Sequence, residues 1–327
     1  MDNRQADDFA REFAAVGAAV AGVIVGKRRA VALVATALLA GGHVLLEDVP
    51  GAGKTTLARA LAAAVRGTRG RVQFTPDLLP SDLIGASVYD ARSGQFAFRP
   101  GPVFCSVLLA DEINLASPKT QSALLEVMEE RQVTVDGVSH PAPRPFLVIA
   151  TQNPVEQIGT YPLPEAQLDR FAIRARLGYP DHATAVRLVC EASRADRAAD
   201  VEPVISTERV VELGQLASQA HIAPAVADYI VSLTEATRAD RRCELGSSTR
   251  GGLVLARCAK VRAMARARPY VTPDDVQALA PAVLAHRLVL TPDARLDGVD
   301  ADQVVVDALA GLPAPKLGEA DLARAAV

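Results

Sequence analysis

The chain has 327 residues, enough for about two domains and a substantial core. Half of them are hydrophobic, 22% are charged, 4% are aromatic and none is Trp, which excludes a disordered chain and leaves an interior built mainly from Ala, Val and Leu. Lys and Arg number 35 against 38 Asp and Glu, a net charge of −3, so general electrostatic attraction to nucleic acid or an anionic membrane is excluded and only local basic patches remain.

The N-terminal run MDNRQADDFAREF lacks the basic start and apolar stretch of a signal peptide. Residues 5–21 have helical character, and the apolar stretch Phe13 to Gly26 stops at Lys27-Arg28-Arg29, short of the ~18 residues a membrane span needs. Cys105, Cys190, Cys243 and Cys258 have no C-x-x-C spacing, and the five histidines no metal-ligand spacing. The expectation is a soluble, cytoplasmic protein with reduced thiols.

Val31 to Leu39 predicts a second, buried helix. His43 to Glu47 then reads as a strand, Asp48 to Gly53 as a Gly/Pro loop and Lys54 to Val65 as a helix. Short apolar runs at Val72 to Phe74, Val107 to Ala110, Phe146 to Ala150 and Phe171 to Ala175 alternate with helical or polar segments, the pattern of a parallel α/β sheet. Two insertions read as β-hairpins, one over 86–98 around Arg92-Ser93-Gly94 and one over 132–145 around Asp136-Gly137. Beyond Gly178 the strand pattern disappears and helices are predicted at about 182–195, 207–220, 224–240, 249–267 and 273–287. Ser206-Thr207-Glu208 and Thr272-Pro273-Asp274-Asp275 look like capped helix starts. The expected organisation is an α/β domain over 1–178 and a helical domain over 179–327.

Pro50-Gly51-Ala52-Gly53-Lys54-Thr55-Thr56 lies between a predicted strand and a predicted helix, the setting a phosphate-binding loop requires. Glycines let backbone N–H groups close round phosphate oxygens, the helix N-terminus adds partial positive charge, Lys54 reaches the β- and γ-phosphates and Thr55 can ligate Mg²⁺. Asp48 stands where the usual pattern has its first Gly. Val107 to Glu112 is an apolar strand ending in two carboxylates, delivered to the sheet edge where α/β proteins bind ligands. Asp111 is the candidate to hold Mg²⁺ through water and Glu112 the candidate to polarise an attacking water. Phe146 to Pro154 repeats that logic and offers Asn153 to position the water or contact the γ-phosphate.

These three strand-edge elements, followed by a helical region, resemble an AAA+ ATPase, and most of all the MoxR family. The resemblance rests on Leu-Leu-Glu-Asp-Val-Pro-Gly-Ala-Gly-Lys-Thr-Thr (45–56), Gln-Phe-Thr-Pro-Asp-Leu-Leu-Pro-Ser-Asp-Leu-Ile-Gly (73–85), Phe-Arg-Pro-Gly-Pro-Val-Phe (98–104) and Ala-Asp-Glu-Ile-Asn (110–114). It continues through Ala-Thr-Gln-Asn-Pro (150–154), Gly-Thr-Tyr-Pro-Leu-Pro-Glu-Ala-Gln-Leu-Asp-Arg-Phe (159–171) and Gly-Ser-Ser-Thr-Arg-Gly-Gly (246–252). The fold it implies is α/β: an AAA+ P-loop NTPase domain with a parallel sheet and a C-terminal all-helical lid. The first family box looks like Val-Ile-Val-Gly-Lys, with Lys27 where Gln is usual. By the resemblance, Arg170 is an arginine finger acting on a neighbouring subunit, with Arg174 and Arg176 as rivals. Arg250 resembles the family's sensor-2 Arg, read here as contacting the γ-phosphate of its own subunit. The hairpins correspond to the insertions of the helix-2-insert branch. Their client-facing candidates are Tyr89, Arg92, Phe96 and Phe98 in the first and Val138, Ser139 and His140 in the second.

The resemblance implies a Mg·ATP-hydrolysing homo-oligomeric ring, a hexamer, that remodels, activates or inserts a cofactor into a client protein. Partners of similar proteins often carry a von Willebrand factor A domain and are often membrane-associated. Three alternatives stand beside this: a magnesium-chelatase-like motor subunit, a nucleic-acid motor and an ATP-dependent switch with little turnover. Asp90 and Asp136 offset Arg92, Arg131 and Arg144 around the hairpins, which argues against nucleic acid.

Overall fold

The structure is a computed structural model in which residues 3–48, 51–92, 94–152, 160–190 and 197–316 are described. The strands in chain order are β1 (Val44–Glu47), β2 (Arg69–Gln73), β3 (Gly85–Asp90), β4 (Gln95–Pro100), β5 (Val107–Asp111), β6 (Gln132–Val135), β7 (Val138–Pro141), β8 (Leu147–Gln152) and β9 (Ile173–Ala175). Five of them form a sheet of order β2-β5-β8-β1-β9, and every pairing in it is parallel.

Alternation of side chains along each strand divides the core between the two faces of this sheet. Val44, Leu46, Val107, Leu109, Leu147 and Ile149 enter one apolar cluster, while Leu45, Leu108, Ala110, Val148 and Ala150 enter the other. The register aligns the C-terminal ends: Gln73 lies opposite Asp111, Ala110 opposite Ala150 and Glu47 opposite Gln152. The apolar strands β1, β5 and β8, each ending in a polar residue, and Gln73 at the end of β2 thus produce one polar edge.

The helices that precede and cross the sheet are α1 (Asn3–Val23), α2 (Arg28–Leu39), α3 (Lys54–Ala64), α4 (Pro80–Ile84), α5 (Pro118–Glu130) and α6 (Glu165–Leu168). Ser117 caps α5, accepting from the Thr120 N–H. Both hairpins form in the expected places, β3 with β4 and β6 with β7. The second turns at Asp136 (φ 51°) and Gly137 (φ 78°), the left-handed pair that a two-residue hairpin turn needs.

After β9 follow α7 (His182–Cys190), α8 (Thr207–Ser218), α9 (Pro224–Ala239), α10 (Thr249–Met264), α11 (Pro273–Leu284), α12 (Pro292–Leu296) and α13 (Ala301–Gly311). The predicted caps are present: Ser206 accepts from the Arg209 N–H at 3.2 Å, and Thr272 and Asp275 form a capping box. The helix expected over 182–195 is observed to Cys190, and 191–196 lie outside the described residues. The expectation of strand-free sequence beyond Gly178 needs one amendment. Two strands, β10 (Cys243–Leu245) and β11 (Val289–Leu290), pair antiparallel, and both are too short to leave an alternation in the sequence. The helix expected over 273–287 likewise ends at Leu284 and tightens into a 3-10 turn over Ala285–Arg287. Helices α1 and α2 share one apolar cluster with α8, α10 and α11, so the N-terminal helices join the sheet to the C-terminal helices. Among the described residues no helix is long and apolar enough to cross a membrane.

Candidate functional site

The glycine-rich loop leaves the end of β1, a central strand. Asp48, 6% exposed, turns its carboxylate away from the loop onto the N–H groups of Leu177 and Gly178, the latter at 3.0 Å. Its carbonyl oxygen accepts from Lys54 Nζ at 3.0 Å. The residue that departs from the usual glycine therefore ties the loop to the connection leaving β9. Pro50 lies outside the described residues. Gly51 (φ 80°) and Gly53 (φ 93°) adopt left-handed backbone that a side chain would strain, and Gly53 is the N-cap of α3. Lys54, Thr55 and Thr56 form the first turn of α3 and Ala52 precedes it, all partly accessible. That turn carries backbone N–H groups with no intrahelical acceptor and the positive end of the helix dipole, a cradle for an anion.

At the end of β5, Asp111 is 7% exposed. Its Oδ2 accepts from Arg71 Nε at 2.9 Å and its Oδ1 from Thr151 Oγ1 at 3.2 Å. A carboxylate offers about four lone-pair directions, so two remain. Glu112 sits at φ 56°, an uncommon conformation for a residue with a side chain. Its N–H donates to Thr151 Oγ1 at 2.9 Å and its Oε2 accepts from the Gln73 side chain. The strained turn thus aims Glu112 along the polar edge, where Gln73 holds it. From β8, Gln152 Nε2 donates to Glu47 Oε1 at 2.8 Å. Asn153, the next residue, lies outside the described residues.

The arginines gather at a second locus, at the C-terminal end of α5. Arg170 Nη2 is 3.2 Å from Glu129 Oε2, and Arg250 Nη2 donates to Glu129 Oε1 at 2.9 Å. One carboxylate carries both guanidinium groups. Arg250, expected to contact the γ-phosphate of its own subunit, stands beside Arg170 on Glu129. The rivals are occupied elsewhere: Arg174, 12% exposed, pairs with Glu47 and Asp302, and Arg176 lies 3.6 Å from Glu47. Lys27 Nζ donates to the Tyr179 carbonyl at 2.6 Å, binding the first family box to the segment after β9.

On the hairpins, Tyr89 and Phe96 pack edge to face at 5.4 Å and remain 56% and 75% exposed. Phe98 stacks on His140 with ring centroids 3.9 Å apart, so these two candidates link the hairpins to each other. His43, Cys105 and Cys258 are buried and structural. His43 is fully buried; its Nδ1 accepts from the Val148 N–H at 2.9 Å, so the proton is on Nε2, which donates to the Met128 carbonyl at 3.1 Å. Burial, reinforced by Arg131, pulls its pKa down to about 3. Burial pushes the Cys105 and Cys258 thiols up to about 12, which leaves them inert, and all four cysteines are free.

Sequence reasoning missed Gln73, Arg71, Thr151 and Glu129. Thr151 carried a signal, since it sits on an apolar strand whose register brings it next to Asp111, whereas Gln73 ends the polar strand Arg69–Gln73 and comes level with Asp111 by register alone.

A glycine loop opening a helix, a carboxylate pair on the same sheet edge and a helical region beyond define a P-loop nucleotide-binding protein of the AAA+ class. Comparison with known families agrees: residues 43–173 match the ATPase family associated with various cellular activities (AAA), and residues 235–308 match the AAA lid domain. The chain is 47% identical to the uncharacterized protein YeaC of Bacillus subtilis, over 90% of this chain and 92% of that one. It is 41% identical to the chaperone MoxR1 of Mycobacterium tuberculosis, over 90% of this chain and 80% of that one. A crystal structure from Cytophaga hutchinsonii, provisionally described as an ATPase, superposes with a TM-score of 0.89 at 37% identity, covering 96% of this chain and 98% of the other. The chain belongs to the MoxR family of AAA+ ATPases.

Proposed function

We propose that this chain hydrolyses ATP in a homo-oligomeric ring and couples hydrolysis to the remodelling or activation of a client protein. The observation that carries the reading is that Asp111 and Glu112, at the end of β5, stand on the same sheet edge as the end of β1, the strand that feeds the glycine loop, with β8 between the two. Residues 1–178 act as the nucleotide-binding domain and 179–327 as the lid. Gly51 to Thr56, with Pro50, cradle the phosphates, and Lys54 exchanges the Asp48 carbonyl for phosphate oxygen.

Mg²⁺ fits the donor set, because the Thr55 hydroxyl and the free lone pairs of Asp111 are hard oxygens and this ion retains several waters. When bound, the ion offsets phosphate charge. Glu112 accepts the proton of the attacking water once Gln73 releases it. Asn153 orients that water. Arg170 acts on the neighbouring subunit's phosphates, where a cation stabilises the developing charge. Because Arg250 shares Glu129 with Arg170, it belongs to the same face and joins the same neighbouring site. The family likeness supports a hexamer in the cytoplasm and a client that carries a von Willebrand factor A domain and is membrane-associated. Exposed Tyr89 and Phe96 offer that client an apolar contact, and nucleic acid is not the partner.

The test is ATP turnover and nucleotide affinity in parallel. Lys54→Ala is expected to weaken ATP binding by about tenfold to a hundredfold, the loss of a charge-assisted hydrogen bond. Equal affinity and turnover for wild type and Lys54→Ala would overturn the site assignment. The client is sought by ATP-dependent capture with Glu112→Gln as trap and Lys54→Ala as control; nucleic acid enriched on the trap would favour a motor instead.

A further inference from the structure

Arg287, in the 3-10 turn after α11, has a side chain 1% exposed. Its Nε donates to Asp169 Oδ1 at 2.7 Å, and its Nη2 donates to the Asp169 carbonyl at 3.1 Å and to the Phe171 carbonyl at 2.7 Å. The backbone oxygens on both sides of Arg170 therefore end on one guanidinium. Nη1 donates to the Val283 carbonyl, which fixes the fork to its own helix. His286 Nε2, from the same turn, lies 2.9 Å from both the Phe171 carbonyl and Arg287 Nη1. Asp169 has a further partner in Ser248, whose Oγ is 3.3 Å from both carboxylate oxygens. Ser248 is the N-cap of α10, and Arg250 is the second residue of that helix.

Burying a guanidinium carries a large desolvation cost, and a buried ion pair is on average a poor source of stability. Burial indeed pulls the Arg287 pKa down, opposed by Asp169. What a planar fork supplies that an apolar side chain does not is direction, with several donors fixed in one plane. Here that plane is spent on the three residues Asp169–Phe171. The same segment bears the finger, and the same helical region bears Arg250.

We propose that Arg287 is the positioning residue of the arginine finger, fastening Asp169–Phe171 to the lid so that Arg170 and Arg250 are presented to a neighbouring subunit as one unit. The inference rests on the reading of Arg170 as a finger acting across subunits. A consequence is that a lid displaced by nucleotide in its own subunit carries the finger offered to the next.

The test uses the full chain with Arg287→Lys, which keeps a positive charge beside Asp169 and removes the fork. Affinity for ATP is expected to stay within about twofold, while kcat falls by about a hundredfold, the effect of a small misplacement of a reacting group. The decisive readout is complementation. Glu112→Gln subunits have an intact finger and no turnover of their own, so in an equal mixture they complete about a quarter of all sites by chance around a head-to-tail ring. Mixtures of Glu112→Gln with Arg287→Lys and with Arg170→Ala are both expected to recover to that level. A wild-type kcat for Arg287→Lys, or recovery with Arg170→Ala alone, would overturn the inference and leave the finger reading intact. Failure of both mixtures, with mixed rings verified, would overturn both. Should Arg287→Lys not fold, Asp169→Asn cuts the same clamp from the other side and is read by the same outcomes.

Discussion

Along the strand edge, the groups assigned to phosphate and water come from a few short runs. Gly51 to Thr56 and Asp111-Glu112 are contiguous in sequence, and the neighbours that hold them, Gln73 and Thr151, arrive by strand register. At the arginine locus, Glu129, Asp169, Arg170, Ser248, Arg250 and Arg287 come from four separated segments and meet through ion pairs and hydrogen bonds. A sheet edge keeps its shape because the strands beneath it are apolar and paired. A cluster of side-chain contacts keeps its shape only while its segments stay docked. The strand edge is thus suited to holding nucleotide within a subunit, and the arginine locus to changing with assembly or lid position.

The division can be broken most severely at Arg170. Arg170→Ala is expected to lower kcat by about 10³-fold or more while ATP affinity is retained; a parallel loss of affinity would move Arg170 to the binding half. Glu112→Gln is expected to cost about 10² to 10⁴ in kcat, also with ATP bound, as shown by nucleotide retained on the isolated protein. A smaller effect sharpens the boundary inside the strand edge. Gln73→Leu frees the Glu112 carboxylate and is expected to raise the basal rate severalfold, on the order of the ~1 kcal/mol one hydrogen bond holds. Unchanged basal turnover would mean that the contact does not restrain Glu112.

The last effect is on stability and appears only in acid. His43 bonds the Met128 carbonyl, next to Glu129, and so anchors the end of α5 that carries the arginine locus. Its folded pKa of about 3 lies below the unfolded value near 6.5, so below pH 6.5 the unfolded chain binds the extra proton. Its contribution is present above pH 6.5 and is lost as pH falls toward 3, by up to about 1.4 kcal/mol per pH unit. His286 is shifted in the same direction by burial. Urea unfolding at stepped pH checks this: His43→Gln, which keeps an acceptor and a donor, should flatten the acid slope. An unaltered slope would assign it to other groups.

How much of this was legible in the sequence follows the same division. Strand-edge chemistry sits on apolar runs with punctuating glycines, so β1, β5, β8 and the loop were readable at once, as were both hairpins from their turns. Glu129 was not, because a Glu in Met128-Glu129-Glu130 near a helix end looks like any solvated carboxylate. Arg287 fell at the end of a predicted helix, where a basic residue ordinarily faces the helix dipole and solvent. Its burial depends on α11 docking against the segment after α6, a contact with no local signal. The same absence holds for Arg250: a motif near a helix start gives the residue type, whereas its pairing with Glu129 is visible only in the fold.

The claim that the arginine locus serves a neighbouring subunit is tested most directly by specific ATPase activity over a dilution series, with particle mass followed in the same samples. The account predicts that turnover per chain collapses as rings dissociate, because each separated subunit keeps its loop, Asp111 and Glu112 and loses the neighbour's Arg170. Constant turnover per chain through dissociation would contradict it and return both arginines to their own subunit's nucleotide.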